Sequence, residues 1–121
     1  MPVTSRVAQG TAAEDFALQY LERRGLTLVA RNVRCRSGEL DLILRDGEQL
    51  VFVEVRSRRY SQFGTPAESV TRAKQQRLLR AAAFYLQRQR LDLPCRFDVV
   101  AILHGGDPPQ VEWIQDAFQL T

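Results

Sequence analysis

The chain predicts an α/β fold, with a mixed five-stranded sheet flanked by helices. Three observations carry this. The elements follow one another as helix, three strands, helix, two strands. The two central strand candidates align so that their apolar rows coincide. Finally, 45% of the 121 residues are apolar, enough for a single domain spanning residues 1–121 to bury a core.

Residues 1–9 are polar and read as a flexible N-terminal tail, without the apolar core of a signal peptide. The first helix is expected over Thr11–Arg24: Thr11 and Glu14 have capping-box spacing, and Ala13, Phe16, Ala17, Tyr20 and Leu21 share a face. Gly25 stops it. Strands are expected at Leu26–Val33, Leu40–Leu44 and Leu50–Val55, the last two joined by "RDGEQ". A polar loop, Ser57–Gly64, follows. Thr65-Pro66-Ala67-Glu68 opens a helical region that runs to about Arg90, with Thr71 a second candidate start and Leu79, Ala82, Ala83 and Leu86 on the buried side. "RFDVVAIL", Arg96–Leu103, is the fourth strand, and "QVEWI" the fifth, across the turn-rich "HGGDPP".

The middle hairpin can be tested against itself. Leu40, Leu42 and Leu44 share one face of their strand, and Val51, Val53 and Val55 share one face of the next. Directly paired residues lie on the same face, so the apolar rows coincide only where paired numbers sum to an odd value, 93 or 95 here. The first sum sets Glu54 opposite Glu39, the second opposite Asp41. Either register gathers Glu39, Asp41, Glu54 and Arg56 on the other face, with opposed Cβ atoms about 5 Å apart. Carboxylates so placed repel unless a cation sits among them. Arg56 can be that cation in a salt-bridge network without chemistry, or a hard divalent ion can, since Mg²⁺ takes carboxylate oxygens and substrate phosphates.

Charge adds a second pointer. The net charge is only +3, but of 17 basic residues Lys74 is the one lysine. Basic residues cluster around Arg34 and Arg36 and again around Arg58 and Arg59, a distribution that suits a phosphate backbone or a solvated surface alike. No apolar run is long enough to span a bilayer, so no membrane partner is expected. Cys35 and Cys95 make neither a disulfide framework nor a metal motif, which favours a reduced, cytoplasmic setting. His104 has no ligand partner nearby, Asp98 reads as an ion pair with Arg96, and Trp113 as packing.

The stretches "GTAAEDFALQYLERRGLTLVARNVRCRSGELDLILRDGEQLVFVEVRSR", "FGTPAESVTRAKQQRLLRAAAFYL" and "RFDVVAI" closely resemble the YraN family of small bacterial proteins, over about Gly10–Phe118. That family looks like a member of the restriction-endonuclease-like superfamily, alongside Holliday-junction resolvases. The resemblance implies a restriction-endonuclease-like core and a site made of an acid on the first helix, an Asp after a Gly-Glu pair, and a Glu-x-Lys on the next strand. Here Glu14, Asp41 and Glu54 match the acids, with Glu39 beside them. It further implies Mg²⁺ or Mn²⁺ held by Asp41, Glu54 and the Val55 carbonyl, with Glu39 a further candidate, and a lysine that positions or activates water. Arg56 stands where that lysine would be. A guanidinium can orient water and stabilise negative charge, but it does not give up its proton.

Three functions stay open at this point. The first is a metal-dependent nuclease acting on DNA, including branched or repair intermediates, with Glu14, Asp41, Glu54 and Arg56 as its catalytic set. Arg34, Arg36, Arg58, Arg59 and Lys74 would then contact nucleic acid, with two alternatives for Lys74 near the start of the second helix: reaching the site itself, or standing as a solvated helix residue. The second is a nucleic-acid-binding module that kept the fold and lost catalysis, for which Arg56 speaks. The third is a scaffold for a protein partner, in which the acidic cluster is structural. Branch-cutting relatives often act as dimers, which makes a homodimer one expectation, although no self-complementary surface is legible.

Overall fold

A computed structural model describes residues 5–59, 70–105 and 108–119. In chain order these form helix α1 (Ser5–Arg23), strands β1 (Thr27–Cys35), β2 (Gly38–Asp46) and β3 (Gln49–Arg59), helix α2 (Arg72–Gln89), and strands β4 (Cys95–His104) and β5 (Gln110–Phe118). The five strands make one sheet in sequence order, β1-β2-β3-β4-β5. Every neighbouring pair is antiparallel except β3 and β4, which run parallel. Parallel neighbours need a crossover, and α2 lies in it. The mixed sheet and its flanking helices are the α/β architecture expected, and consistent with the endonuclease-like core.

The helices cover opposite faces. Ala13, Ala17 and Leu21 of α1 bury against Leu42, Leu44, Val51, Val53, Val100 and Ile102. Leu78, Ala81, Ala82 and Tyr85 of α2 bury against Ile43, Leu50, Phe52, Phe97 and Val99. Ring stacking extends this second core across three strands: Phe52 to Phe97 at 5.1 Å and Phe97 to Phe118 at 5.0 Å between centroids. With α1 on one face and α2 on the other, the central strands read as long apolar runs.

Several boundaries and faces differ from expectation. Helix α1 starts at Ser5, so Thr11 lies inside it and not at its start, and residues 5–9 belong to the helix. The helix passes through Gly10, and one interior glycine costs only about 1 kcal/mol. Its end is as expected: Gly25 at φ 97° closes a Schellman motif, Leu26 N–H donating to Leu21 C=O and Gly25 N–H to Glu22 C=O. Phe16, expected on the buried face, is 39% exposed, whereas Ala13, Ala17 and Leu21 of that face are buried. On α2 the buried stripe is one residue earlier than expected, with Ala83 and Phe84 exposed. Both stripes have helical spacing; Tyr85 edge-on to Phe52 at 6.2 Å goes with the observed one. Of the two candidate starts, Thr71 caps α2, its Oγ1 accepting the Lys74 N–H at 3.2 Å; Thr65–Glu68 lies outside the described residues.

The strands are longer than expected at most ends. β3 continues to Arg59, so Ser57–Arg59 are strand and not loop, and the rest of that loop lies outside the described residues. β5 runs to Phe118 through a bulge at Asp116, φ 53°, where the β4–β5 register shifts. Asp98, fully buried, fills that irregularity by accepting from the Asp116 N–H at 2.9 Å, Trp113 Nε1 at 2.9 Å and Arg96 Nε at 3.0 Å. The expected Asp98–Arg96 pair is therefore present, and Trp113 packs while also donating to it.

Candidate functional site

The β2–β3 ladder pairs Leu42 with Val53, Ile43 with Phe52 and Leu44 with Val51, the register whose numbers sum to 95. The turn is Gly47-Glu48, with Gly47 at φ 63°. Extending that register by one residue sets Asp41 opposite Glu54. There the regular pairing stops, and Asp41 Oδ2 accepts the Val55 N–H at 3.0 Å, a side chain standing in for a strand carbonyl. The alternation of β2 breaks at the same place. Leu42 and Leu44 pack under α1, whereas Leu40 joins the α2 core, contrary to its expected face. On the neighbouring strand Asn32, at φ 54°, adopts the left-handed conformation that Asn tolerates better than most residues.

This break in the strands gathers carboxyls from three elements. Oxygens of Glu14 (α1), Glu39 and Asp41 (both β2) all lie within 4.8 Å of one another. Glu54 (β3), 6% exposed, joins through a side-chain hydrogen bond with Asp41. Burial, then the Asp41 charge, pushes the Glu54 carboxyl up to about 7, against the pull of Lys74 and Arg56. Burial is also the main cause that raises Asp41, partly offset by the Val55 N–H, and the main cause that raises Glu14, helped by Asp41 and opposed by Arg31. A carboxylate crowded by others and short of water favours its proton, and a cation would reverse that.

Two side-chain cations reach the buried carboxylate. Arg56 Nε lies 3.8 Å from Glu54 Oε2, and Lys74 Nζ lies 3.5 Å from the same oxygen. At the outer side Arg31 Nη2 pairs with Asp15 at 2.8 Å and approaches Glu14 at 3.7 Å. Arg34 Nε donates to Glu39 at 2.9 Å from an otherwise exposed position. Asp41 and Glu54 also line a void of about 10 Å³ with Leu40, Phe52 and Leu78, no larger than one water. Anything bigger must meet the carboxyls from the open side, where Arg56 and Lys74 are about one-third exposed.

Of the expected site residues, Glu14, Glu39, Asp41, Glu54, Arg56 and Lys74 thus stand together. Arg36 is exposed near the β1–β2 turn and Arg58 is half-buried towards the end of β3. Arg59 closes β3, and its side chain lies outside the described residues. Arg31, expected only as part of the Arg31–Arg36 basic cluster, and Asn32 touch Glu14, a contact the sequence did not reveal; an Asn inside a strand was the one hint in "ARNVR". His104 is exposed, as expected, and meets the Ser57 hydroxyl.

The profile of uncharacterised protein family UPF0102 matches residues 13–102. Proteins described as members are similar along nearly the whole chain. One from Ralstonia pickettii is 54% identical over 122 residues, covering 97% of this chain and 93% of its own. One from Cupriavidus metallidurans is 51% identical over 120 residues, covering 98% and 87%. One from Janthinobacterium sp. is 48% identical over 118 residues, covering 98% and 93%.

The chain belongs to UPF0102.

This is the YraN family of the resemblance. The UPF0102 match runs from Ala13 in α1 to Ile102 in β4, so it takes in every carboxyl of the cluster together with Arg56 and Lys74, and leaves out β5. Among the described residues, no helix is long and apolar enough to cross a membrane.

Proposed function

We propose that the protein is a metal-dependent hydrolase of DNA phosphodiesters, working on branched or repair intermediates. One observation carries the reading: carboxyls from α1, β2 and β3 meet around Asp41 at the edge of the core, with cationic side chains on the open side. Such crowding of like charges is unfavourable in itself. It makes sense where a divalent cation is to be held.

The donor set fits a hard cation. Glu14, Glu39 and Asp41 offer only oxygens, close enough to share one ion, and Mg²⁺ prefers such ligands. By the family resemblance, Glu54 and the Val55 carbonyl would contribute on the β3 side. When bound, the ion supplies charge neutralisation at the phosphate and a more acidic water. The chain's own groups do the rest. Asp41, fixed by the Val55 N–H, orients the cluster. Glu54, buried and hydrogen-bonded to Asp41, supplies the β3 carboxyl of the cluster. Arg56 and Lys74 put cationic charge beside Glu54 on the side a phosphate would approach, and Arg34, Arg36 and Arg58 follow the backbone. In the reaction a water oxygen bonds to phosphorus, one P–O ester bond breaks, and the departing fragment leaves as a hydroxyl.

Cleavage of branched, nicked and single-stranded DNA with Mg²⁺ or Mn²⁺ tests this. Asp41→Asn and Glu54→Ala are expected to lower turnover by about 100-fold or more. Cleavage that needs no metal, or that survives both substitutions, sinks the reading. Arg56 in place of a lysine favours a second reading, a binding module without catalysis. It expects log-linear salt dependence of DNA binding, unchanged in Asp41→Asn and independent of metal.

A further inference from the structure

Two cations approach Glu54, and they are not equivalent. Arg56 comes from the same strand two residues on and meets Glu54 through Nε at 3.8 Å. Lys74 comes from α2, across the top of the sheet, and brings its ammonium to 3.5 Å from the same oxygen. A guanidinium presents its donors in a fixed plane. An ammonium is a compact charge with three donors that rotate together, so one can rest on Glu54 while the others face outward.

Composition singles out the same residue. Every other basic side chain of the 17 is arginine, including Arg72, Arg77 and Arg80 on the same helix. A merely solvated cation on α2 would be served by the residue this chain uses everywhere else. The first turn of α2 is also held firmly. Thr71 Oγ1 accepts the Lys74 N–H at 3.2 Å, Thr71 C=O accepts the Gln75 N–H at 2.8 Å, and Gln75 Nε2 donates to Val70 C=O at 3.0 Å. Val70 itself is 2% exposed in the α2 core. The lysine therefore extends from an anchored backbone, with its side chain 34% exposed toward the open side of the cluster.

We propose that Lys74, rather than Arg56, is the cation that receives the phosphodiester at the carboxyl cluster: its ammonium rests on Glu54 and contacts the phosphate, or the water that attacks it. This rests on the hydrolase reading above and gives one role to a residue that the sequence left between the site, a DNA phosphate and a solvated helix face.

Because Lys74 is the only lysine, protein grown with ¹⁵N-lysine labelled at Nζ carries a single labelled ammonium. Its resonance is expected to move in Glu54→Gln, and to move again when a short DNA duplex and Mg²⁺ are added to the wild-type protein. A resonance indifferent to either change overturns the proposal, whatever the protein cleaves. In the cleavage assay, Lys74→Ala is expected to lower kcat about 100-fold while KM stays within about threefold. Lys74→Ala combined with Arg56→Lys, which returns an ammonium from β3, is expected to recover at least about tenfold of that loss. Unfolding midpoints of all variants, read by circular dichroism, separate lost chemistry from lost fold. If Lys74→Ala instead weakens only DNA affinity, lowering the salt slope by about 1 with kcat intact, Lys74 is a backbone contact and the proposal fails. A wild-type protein whose resonance responds to DNA but which cleaves nothing rejects hydrolysis and leaves the Lys74–phosphate contact supported.

Discussion

Glu54 shows how far one buried carboxyl can shape the behaviour of the protein. Burial and Asp41 hold it up at about 7, and Asp41 and Glu14 are raised as well. A carboxyl with a higher pKa folded than unfolded binds its proton more tightly when folded. Its stabilising contribution is complete below the unfolded value near 4.5 and is lost as pH rises through about 7. In metal-free protein, Glu54→Gln is therefore expected to gain about 1–2 kcal/mol over wild type near pH 8, with the gain shrinking toward pH 5. Melting curves taken in chelator across that range check it; a constant offset between the two proteins counts against the assigned cause. Asp98 is a second buried carboxyl. It is fully buried and accepts from Arg96, Trp113 and Asp116; Asp98→Ala leaves the Trp113 Nε1–H and Asp116 N–H without an acceptor, while Arg96 keeps Asp46 and Gln49, and is expected to cost about 3 kcal/mol in denaturant unfolding. The sequence made the Arg96 partner legible because it lies two residues away on one strand. Trp113 and Asp116 were not, because the bulge that brings them to Asp98 depends on a register shift between β4 and β5.

At the scale of elements, the β2–β3 hairpin was the most legible part. Period-two burial on both strands left two registers, and the Gly47-Glu48 turn takes the second. The same reasoning failed at Leu40, since periodicity assumes that a strand keeps its pleat, and β2 loses it at Asp41. Helix faces were less legible. On α2 two stripes one residue apart are both apolar, and the choice depends on where Phe52 lies, which no local pattern records. Helix ends offer simple tests. Thr71 accepts the Lys74 N–H at the N-cap, so Thr71→Ala is expected to lower stability by about 1 kcal/mol and to loosen Lys74 along with it. At the other end Arg90 adopts φ 55° in a Schellman motif, with Leu91 N–H donating to Leu86 C=O. Left-handed backbone disfavours a side chain, so Arg90→Gly is expected to raise the unfolding free energy by about 1 kcal/mol. Thermal unfolding of the two variants should move in opposite directions.

For the molecule as a whole, the candidate site lies where four elements meet: α1 brings Glu14, β2 Glu39 and Asp41, β3 Glu54, and α2 Lys74. The sequence revealed the β2 and β3 parts through register and the α1 part through resemblance. The reach of Lys74 to the site was one reading of the sequence among others, left undecided because it depends on the crossover that carries α2 over the sheet. A site assembled from all of these links occupancy to global stability. Saturating Mg²⁺ is expected to raise the unfolding free energy, by about 2.7 kcal/mol at one hundred times Kd, with the gain largely lost in Asp41→Asn. Equal midpoints with Mg²⁺ and with chelator would argue against a metal site. The bond from the Val55 N–H to Asp41 gives this linkage a local observer. A strand amide that bonds to a side chain, instead of to the facing backbone, exchanges its proton for deuterium at a rate that follows that one carboxylate. Protonating Asp41 weakens the acceptor and should quicken exchange at Val55, while a cation that holds the carboxylate in place should slow it. The rung that replaces a missing ladder bond thereby turns one backbone amide into a gauge of whether the site is charged, protonated or filled.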